Sequence, residues 1–120
     1  MNNDIVTPRR GAIWLVNFNP TLGAEIKKIR PAVVVSSDAV GRLPIKLVAP
    51  LTDWKDRYTA NLWHIRLDPD QANNLEKPSA VDVLQLRGMD LQRFVRPVGR
   101  VSAAMMEEIA AAIAAVVEYQ

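Results

Sequence analysis

The sequence predicts a mainly β fold, a small antiparallel barrel with one C-terminal helix packed against it. Five to seven short segments rich in β-branched and aromatic residues are separated by turn residues, as in antiparallel sheets. A single amphipathic segment follows them at the end of the chain. The 120 residues, 49% of them hydrophobic, suit one domain with a buried core. Hydrophobic periodicity leaves a sandwich open as the alternative to a barrel.

The strand predictions follow from apolar runs bounded by loop residues. Residues 12–16 are continuously apolar, and residues 32–36 follow Pro31, which suits the start of a strand because proline donates no ladder hydrogen bond. Residues 62–67 alternate apolar and polar side chains, so one face of that strand should be buried. The predicted strands lie in segments 12–16, 32–36, 45–52, 62–67, 79–87 and 95–101.

The remaining segments predict an arm, loops and one helix. Residues 1–8 are expected to form a flexible arm. Loops or turns are expected at 17–30, 37–44, 68–78 (with one helical turn) and 90–94 (a short helical turn). The helix should begin after Ser102, a plausible N-cap. Its apolar stripe has i, i+3, i+4, i+7 spacing and consists of Ile109, Ala112, Ile113 and Val116.

Composition excludes several classes of chemistry. Cysteine is absent, which removes disulfide frameworks, thiol catalysis and zinc–thiolate sites. His64 is the single histidine, so one chain cannot hold a His-rich metal cage. No glycine-rich phosphate loop occurs, no apolar run reaches the length of a membrane span, and the first ten residues lack the apolar core of a secretory leader. We therefore expect a cytoplasmic protein without a cofactor or a metal.

The distribution of charge hints at a polyanionic partner. The net charge is only +2, but the last twenty residues carry three acidic side chains and no basic one. Residues 1–100 therefore hold 15 basic and 10 acidic side chains. Clustered positive charge of this kind favours binding to nucleic acid, although by itself the signal is weak.

Five segments resemble, in order and spacing, those of the MazF/PemK toxins of bacterial type II toxin–antitoxin systems. They read RGAIWLV (10–16), NPTLGAE (19–25), RPAVVVS (30–36), VAPLT (48–52) and LQLR (84–87). The resemblance covers the chain from about Arg10 to the C-terminal helix. It implies an SH3-like barrel, a homodimer, and sequence-specific, metal-independent cleavage of single-stranded mRNA. The chain departs from the family at Ala12, where an acidic residue is common, and at 53–61, which aligns with no family segment.

By this resemblance, Arg30 matches the catalytic arginine of the family and Thr52 the catalytic threonine. The chemistry suits both residue types. A guanidinium offers a fixed fork of donors to a phosphoryl group that gains negative charge in the transition state. A hydroxyl at the end of a strand can bond a phosphate oxygen. On composition alone, Arg30 would be interpreted as a surface ion pair and Thr52 as a residue that bonds its own turn.

Six further residues are predicted to contact RNA. Lys27 and Lys28 could hold phosphates, and Trp54, set among charged residues, is the candidate for base stacking. Glu25 is a candidate for the proton acceptor. Gln85 and Arg87 match the Gln-x-Arg of the family and are expected on one face of a strand, where Gln85 could read a base edge or fix the loop.

Other chemically distinctive residues have structural interpretations. His64 is expected to be a half-exposed strand histidine, and Trp14 and Trp63 to be core residues. The acids without the spacing of a metal loop are expected at the surface; they are Asp53, Asp56, Asp82 and Asp90.

The implied reaction uses the RNA's own 2′-hydroxyl. It attacks the adjacent phosphorus, the 5′-oxygen of the next nucleotide leaves, and the products carry a 2′,3′-cyclic phosphate and a 5′-hydroxyl. The resemblance also implies a cognate antitoxin, whose acidic tail we expect over residues 18–30 and the Thr52 region. The alternative is a non-catalytic toxin or binding module of the same barrel, one that poisons gyrase or binds DNA.

Overall fold

Seven strands and one helix make up the part of the fold that the structure describes. The computed structural model describes residues 7–40 and 43–119. The strands are β1 (Ala12–Asn17), β2 (Ile29–Val34), β3 (Ile45–Asp53), β4 (His64–Leu67), β5 (Ser79–Asp82), β6 (Arg87–Asp90) and β7 (Phe94–Arg100), followed by α1 (Ala103–Val116). Short 3-10 turns lie at Asp38–Val40, Asp56–Tyr58, Val83–Gln85 and Leu91–Arg93. The predicted mainly β fold with a C-terminal helix is confirmed.

The strands form one antiparallel sheet in which β3 changes partners along its length. The order is β4-β5-β3-β2-β1-β7, with β6 also paired to β3. The first part of β3 pairs with β6 and β2, ending at the Ala32–Pro50 pair. From Leu51 to Asp53 it pairs with β5 instead. In the described part of the chain the ladder runs from β4 to β7 without closing.

Two apolar clusters fill the two faces of this curved sheet. Alternation along β1 sends Ile13 to one cluster and Trp14 and Val16 to the other. The first cluster also takes the apolar stripe of α1, led by the fully buried Ile109. Trp63 packs against the first cluster, so the prediction that Trp14 and Trp63 belong to the core is confirmed.

Helix α1 begins where the sequence predicts. The Ser102 hydroxyl accepts a hydrogen bond from the Met105 amide at 3.1 Å, the geometry of an N-cap. In the part of the chain that the structure describes, no helix is both long and apolar enough to cross a membrane.

Several expectations need correction. The predicted strand at 79–87 is two strands, because the Asp82 carboxylate accepts from the Leu84 and Gln85 amides and caps a 3-10 turn between them. Gln85 therefore lies on that turn, and Arg87 begins β6; they do not share a strand face. Asp82 is buried, not a surface acid.

Two smaller differences concern the first thirty residues. Strand β2 begins at Ile29, so Arg30 belongs to the strand and not to the preceding loop. Within the predicted arm at 1–8, residues 1–6 lie outside the described residues, and Pro8 is buried.

Candidate active site

A groove opens where β2 and β3 separate. The register that pairs Val34 with Val48 and Ala32 with Pro50 would, two residues further, set Arg30 opposite Thr52. By that point β2 pairs only with β1 and β3 only with β5. The resulting groove has a volume of about 500 Å³ and is lined by both Arg30 and Thr52. The structure thus brings together the two residues that the sequence singles out.

The Arg30 side chain is anchored at one atom. Its Nε donates a hydrogen bond of 3.0 Å to the Lys27 carbonyl oxygen. A guanidinium carries five N–H donors, so this bond leaves the two terminal amino groups for a ligand. Arg30 forms no ion pair within the described residues. The interpretation of Arg30 as one half of a surface ion pair is therefore wrong among the described residues.

The Thr52 hydroxyl has no hydrogen-bond partner among residues 7–40 and 43–119. Thr52 is half-buried, and its backbone pairs with Ala80 of β5. The interpretation that Thr52 bonds its own turn is not seen here. A hydroxyl that faces a groove beside a guanidinium can donate to the same bound anion.

The opposite wall of the groove comes from the segment before β5, for which the sequence predicts only a loop. The fully buried Asn73 holds this segment, since its side chain bonds the backbone of Asp68, Asp70 and Leu75. The side-chain amide of Asn74 donates to the Val98 carbonyl of β7 at 2.8 Å. The segment also requires Gly99, whose Cβ position would lie 2.5 Å from two backbone oxygens.

This wall and the neighbouring strand β7 add charged groups that the sequence analysis missed. Glu76, Lys77 and Arg96 line the groove together with Asp53. Lys77 pairs with Asp53 at 3.1 Å, and both side chains are largely exposed. The pair leaves Glu76 as the carboxylate of the groove without an ion pair among the described residues. No local sequence signal marks Glu76 or Arg96, because only the tertiary fold brings them to Arg30.

The loop between β1 and β2 is held by side chains from later in the chain. Gln85 accepts from the Ile26 amide at 3.1 Å and donates to the Ala24 carbonyl at 3.2 Å. Arg87 donates to the Phe18 carbonyl at 3.1 Å. Gln85 was expected either to read a base edge or to fix the loop, and in the structure its side chain fixes the loop. Lys27 and Lys28 are exposed on this loop but do not line the groove, so their contact with RNA stays a prediction.

Glu25 is not brought to the groove. Its carboxylate accepts from the Leu22 amide at 2.7 Å, a bond within the loop. It lines a separate cavity of about 260 Å³ together with Gln85 and Arg87. The position of Glu25 thus argues against its being the proton acceptor beside Arg30.

Sequence comparison decides the family. The profile of the family described as PemK-like, MazF-like toxin of type II toxin-antitoxin system matches residues 9–117. This chain belongs to that family. It is 32% identical over 108 residues to the Mycobacterium tuberculosis protein named endoribonuclease MazF9, covering 84% of this chain and 88% of that one. It is 34% identical over 113 residues to the Escherichia coli endoribonuclease toxin ChpB, covering 91% and 93%.

Solved structures show the same fold. The Mycobacterium tuberculosis toxin MazF-mt6 superposes with a TM-score of 0.73 at 20% identity, over 91% of this chain and 98% of that one. A mycobacterial endoribonuclease solved in complex with its cognate antitoxin gives 0.74 at 16% identity, over 95% and 98%. The SH3-like MazF fold expected from the resemblance is confirmed.

In this MazF-family chain, the segment at 53–61 builds an aromatic cluster. Trp54 packs edge-on against Tyr58, with ring centroids 5.8 Å apart, and the Arg66 guanidinium lies 5.3 Å from the Trp54 ring centroid. The Trp54 indole N–H is buried and has no hydrogen-bond partner in the described structure. Trp54 does not line the groove, so its role as a stacking platform for RNA stays a prediction.

A buried His–Asp pair joins this cluster to the turn that carries Gln85. The His64 ring stacks on Tyr58 at 3.8 Å, and its Nε2 lies 3.5 Å from Asp82 Oδ2. The His64 side chain is only 9% exposed, less than the half-exposed position expected. Burial raises the pKa of Asp82, while the nearby His64 and the two capped amides oppose that shift.

Proposed function

We propose that this toxin cleaves single-stranded RNA in the groove between β2 and β3, with Arg30 and Thr52 acting on the scissile phosphate. The relatives that cover most of the chain are named endoribonucleases, and RNA cleavage is the activity that the family assigns to it. The observation that supports the assignment of the site is the shared groove, which Arg30 and Thr52 line from adjacent strands.

The groove suits attack by the RNA's own 2′-hydroxyl. The 2′-oxygen forms a bond to phosphorus while the bond from phosphorus to the 5′-oxygen breaks. The terminal amino groups of Arg30 would meet the negative charge that develops on the phosphoryl oxygens, and the Thr52 hydroxyl would donate to one of them. The products are a 2′,3′-cyclic phosphate and a 5′-hydroxyl, with a net transfer of one proton from the 2′-oxygen to the 5′-oxygen.

The 2′-hydroxyl proton needs an acceptor other than Arg30, because a guanidinium stays protonated at neutral pH. Glu76 is the better candidate than Glu25, since it lines the same groove as Arg30 and Thr52. Lys77 and Arg96 would hold phosphates on either side of the cleaved bond, and the exposed Lys27 and Lys28 would extend this positive rim.

The test is cleavage of a mixed RNA pool in excess EDTA, followed by mapping of the cut ends. We expect cleavage to persist and every new downstream end to carry a 5′-hydroxyl. A substrate with a single 2′-deoxynucleotide on the 5′ side of the cut is the matched control, and it should resist. Downstream ends with a 5′-phosphate, or a requirement for Mg²⁺, would contradict the mechanism.

We also propose that the acidic tail of a cognate antitoxin lies over residues 18–30 and the Thr52 region. This loop exposes two large apolar side chains, Leu22 at 82% and Ile29 at 52%, next to Lys27 and Lys28. An extended segment with acidic residues and apolar anchors complements such a surface. One structural neighbour was solved with its cognate antitoxin. The family further favours a homodimer in the cytoplasm.

Hydrogen exchange of the free and antitoxin-bound toxin tests this binding mode. Amides in 18–30 should become protected, and cleavage should stop. Protection confined to α1, with cleavage still active, would contradict it.

A further inference from the structure

The amide of Gln85 spans two backbone groups of the loop that precedes Arg30. Its oxygen accepts from the Ile26 N–H at 3.1 Å and its nitrogen donates to the Ala24 carbonyl at 3.2 Å, across about 60 residues of sequence. One side chain thus clips the loop at two points, through one donor and one acceptor. Glutamate and methionine, which have similar length, lack the donor at neutral pH.

Gln85 is itself held in place from the core side. The buried carboxylate of Asp82 caps the 3-10 turn by accepting from the Leu84 and Gln85 amides, at 3.0 and 3.3 Å. Val83, the first residue of the turn, belongs to the core cluster beneath α1. The clip therefore extends from a fixed part of the fold toward an exposed loop.

The clipped backbone leads directly to Arg30. Lys27 follows Ile26, and the Lys27 carbonyl is the group that accepts from Arg30 Nε at 3.0 Å. The next residue, Lys28, has a positive φ of 74°, a strained conformation for lysine, and its amide is held by the Asn19 side chain at 3.0 Å. The direction of the Lys27 carbonyl thus depends on a backbone that Gln85 fixes one residue earlier.

We propose that Gln85 is a positioning residue for cleavage, which aims the Arg30 guanidinium into the groove by fixing the Lys27 carbonyl. This inference rests on the proposed function of Arg30. It assigns Gln85 a role through the loop and not through a base of the RNA, because both ends of its amide are already bonded to the protein. A misplacement of about 1 Å at a reacting group can cost roughly a hundredfold in rate.

Two substitutions separate the donor from the acceptor. Gln85→Leu removes both bonds at similar size. Gln85→Glu keeps an acceptor for Ile26 N–H but sets a carboxylate against the Ala24 carbonyl. Gln92→Glu, at an exposed position outside the groove and the clip, is the matched control for added negative charge and should behave as the unaltered protein.

Single-turnover cleavage of a short RNA should fall about ten- to a hundredfold in both Gln85 variants. Their affinity for the same RNA with a 2′-deoxynucleotide at the cut should be essentially unchanged, as should the cleavage motif. Hydrogen exchange should become faster at Ile26 and its neighbours. When the new carboxyl of Gln85→Glu is protonated at acidic pH, it again donates to the Ala24 carbonyl, so its defect relative to the unaltered protein should shrink at low pH. The defect of Gln85→Leu should stay constant with pH.

Three outcomes would overturn the proposal. The first is an altered cleavage motif with unchanged hydrogen exchange in the loop, which would assign Gln85 to base reading. The second is a loss of RNA affinity that accounts for the whole loss of rate. The third is faster hydrogen exchange in the loop together with a full cleavage rate. If Arg30→Ala cleaves normally, the proposed function fails instead, and the loop exchange still reports whether the clip exists.

Discussion

Replacing Arg30 with lysine keeps the positive charge in the groove but removes the fork of donors. In the structure Arg30 uses Nε to reach the Lys27 carbonyl at 3.0 Å, which leaves two amino groups for the phosphate. Lysine has one nitrogen on a flexible stem. It can bind the carbonyl or the phosphate, but it cannot hold the direction of both bonds. We therefore expect Arg30→Lys to be strongly impaired even though the charge is conserved.

The size of the effect follows from the bonds that are lost. A hydrogen bond involving a charged group contributes about 1.5–3 kcal/mol, which corresponds to roughly a ten- to hundredfold change in rate. Arg30→Lys loses at least one such bond. Arg30→Ala loses all donors to the developing charge, and removal of a comparable oxyanion donor costs about 10²–10³-fold. We expect Arg30→Ala to be slower than Arg30→Lys, and both to be well below the unaltered protein.

The assay is single-turnover cleavage of a short RNA with enzyme in excess, so that the chemical step is measured apart from product release. Thermal unfolding of each variant checks that the fold survives. Arg100→Lys is the matched control, since Arg100 is exposed and lies outside the groove. A fully active Arg30→Lys would refute the argument, because it would show that Arg30 supplies only general positive charge.

Three further predictions concern neighbouring groups. Thr52→Ala should lower the single-turnover rate about ten- to a hundredfold while thermal unfolding changes little, and Thr52→Ser should recover most of the rate; an unchanged rate in Thr52→Ala would mean a structural role. Glu76→Gln should lower the rate about 10²–10⁴-fold, whereas an unaffected rate would place the proton acceptor elsewhere. Asp82→Asn keeps the oxygen that caps the turn and removes a buried charge. Because burial raises the pKa of Asp82 in the folded state, its carboxylate costs stability as pH rises above 3.8. Urea unfolding should therefore show Asp82→Asn gaining most over the unaltered protein near pH 8 and least near pH 4; a gain that grows on acidification would contradict this sign.

The sequence predicts the elements whose signals are local. The apolar run at 12–16, the β-branched run after Pro31 and the N-cap at Ser102 each determine their own conformation, and the structure agrees with all three. The apolar residues Val81, Val83 and Leu84 predict one strand over 79–87, but Asp82 interrupts it. An aspartate that can bond the amides two and three residues later is itself a local turn signal, and here it divides the segment into β5 and β6.

Features that depend on distant partners were beyond sequence reasoning. His64 pairs with Asp82 only because the β4–β5 register sets the two residues opposite each other. Glu76 reaches the groove because Asn73 folds the preceding segment and Gly99 lets that segment approach β7. Arg96 reaches it because β7 pairs with β1, where Arg96 lies opposite Leu15. None of these relations leaves a periodic or compositional trace in the chain.

Two prolines lie beside the candidate catalytic residues, at the point where the β2–β3 ladder ends and the groove opens. Arg30 precedes Pro31 in β2, and Thr52 follows Pro50 by two residues in β3. Proline donates no hydrogen bond to a ladder and is tolerated mainly where strand pairing ends. The β2–β3 ladder ends at the Ala32–Pro50 pair, and beyond it β3 turns to β5. The segments that supply the guanidinium and the hydroxyl therefore also separate the two strands, and this separation opens the space in which a phosphate can reach both side chains.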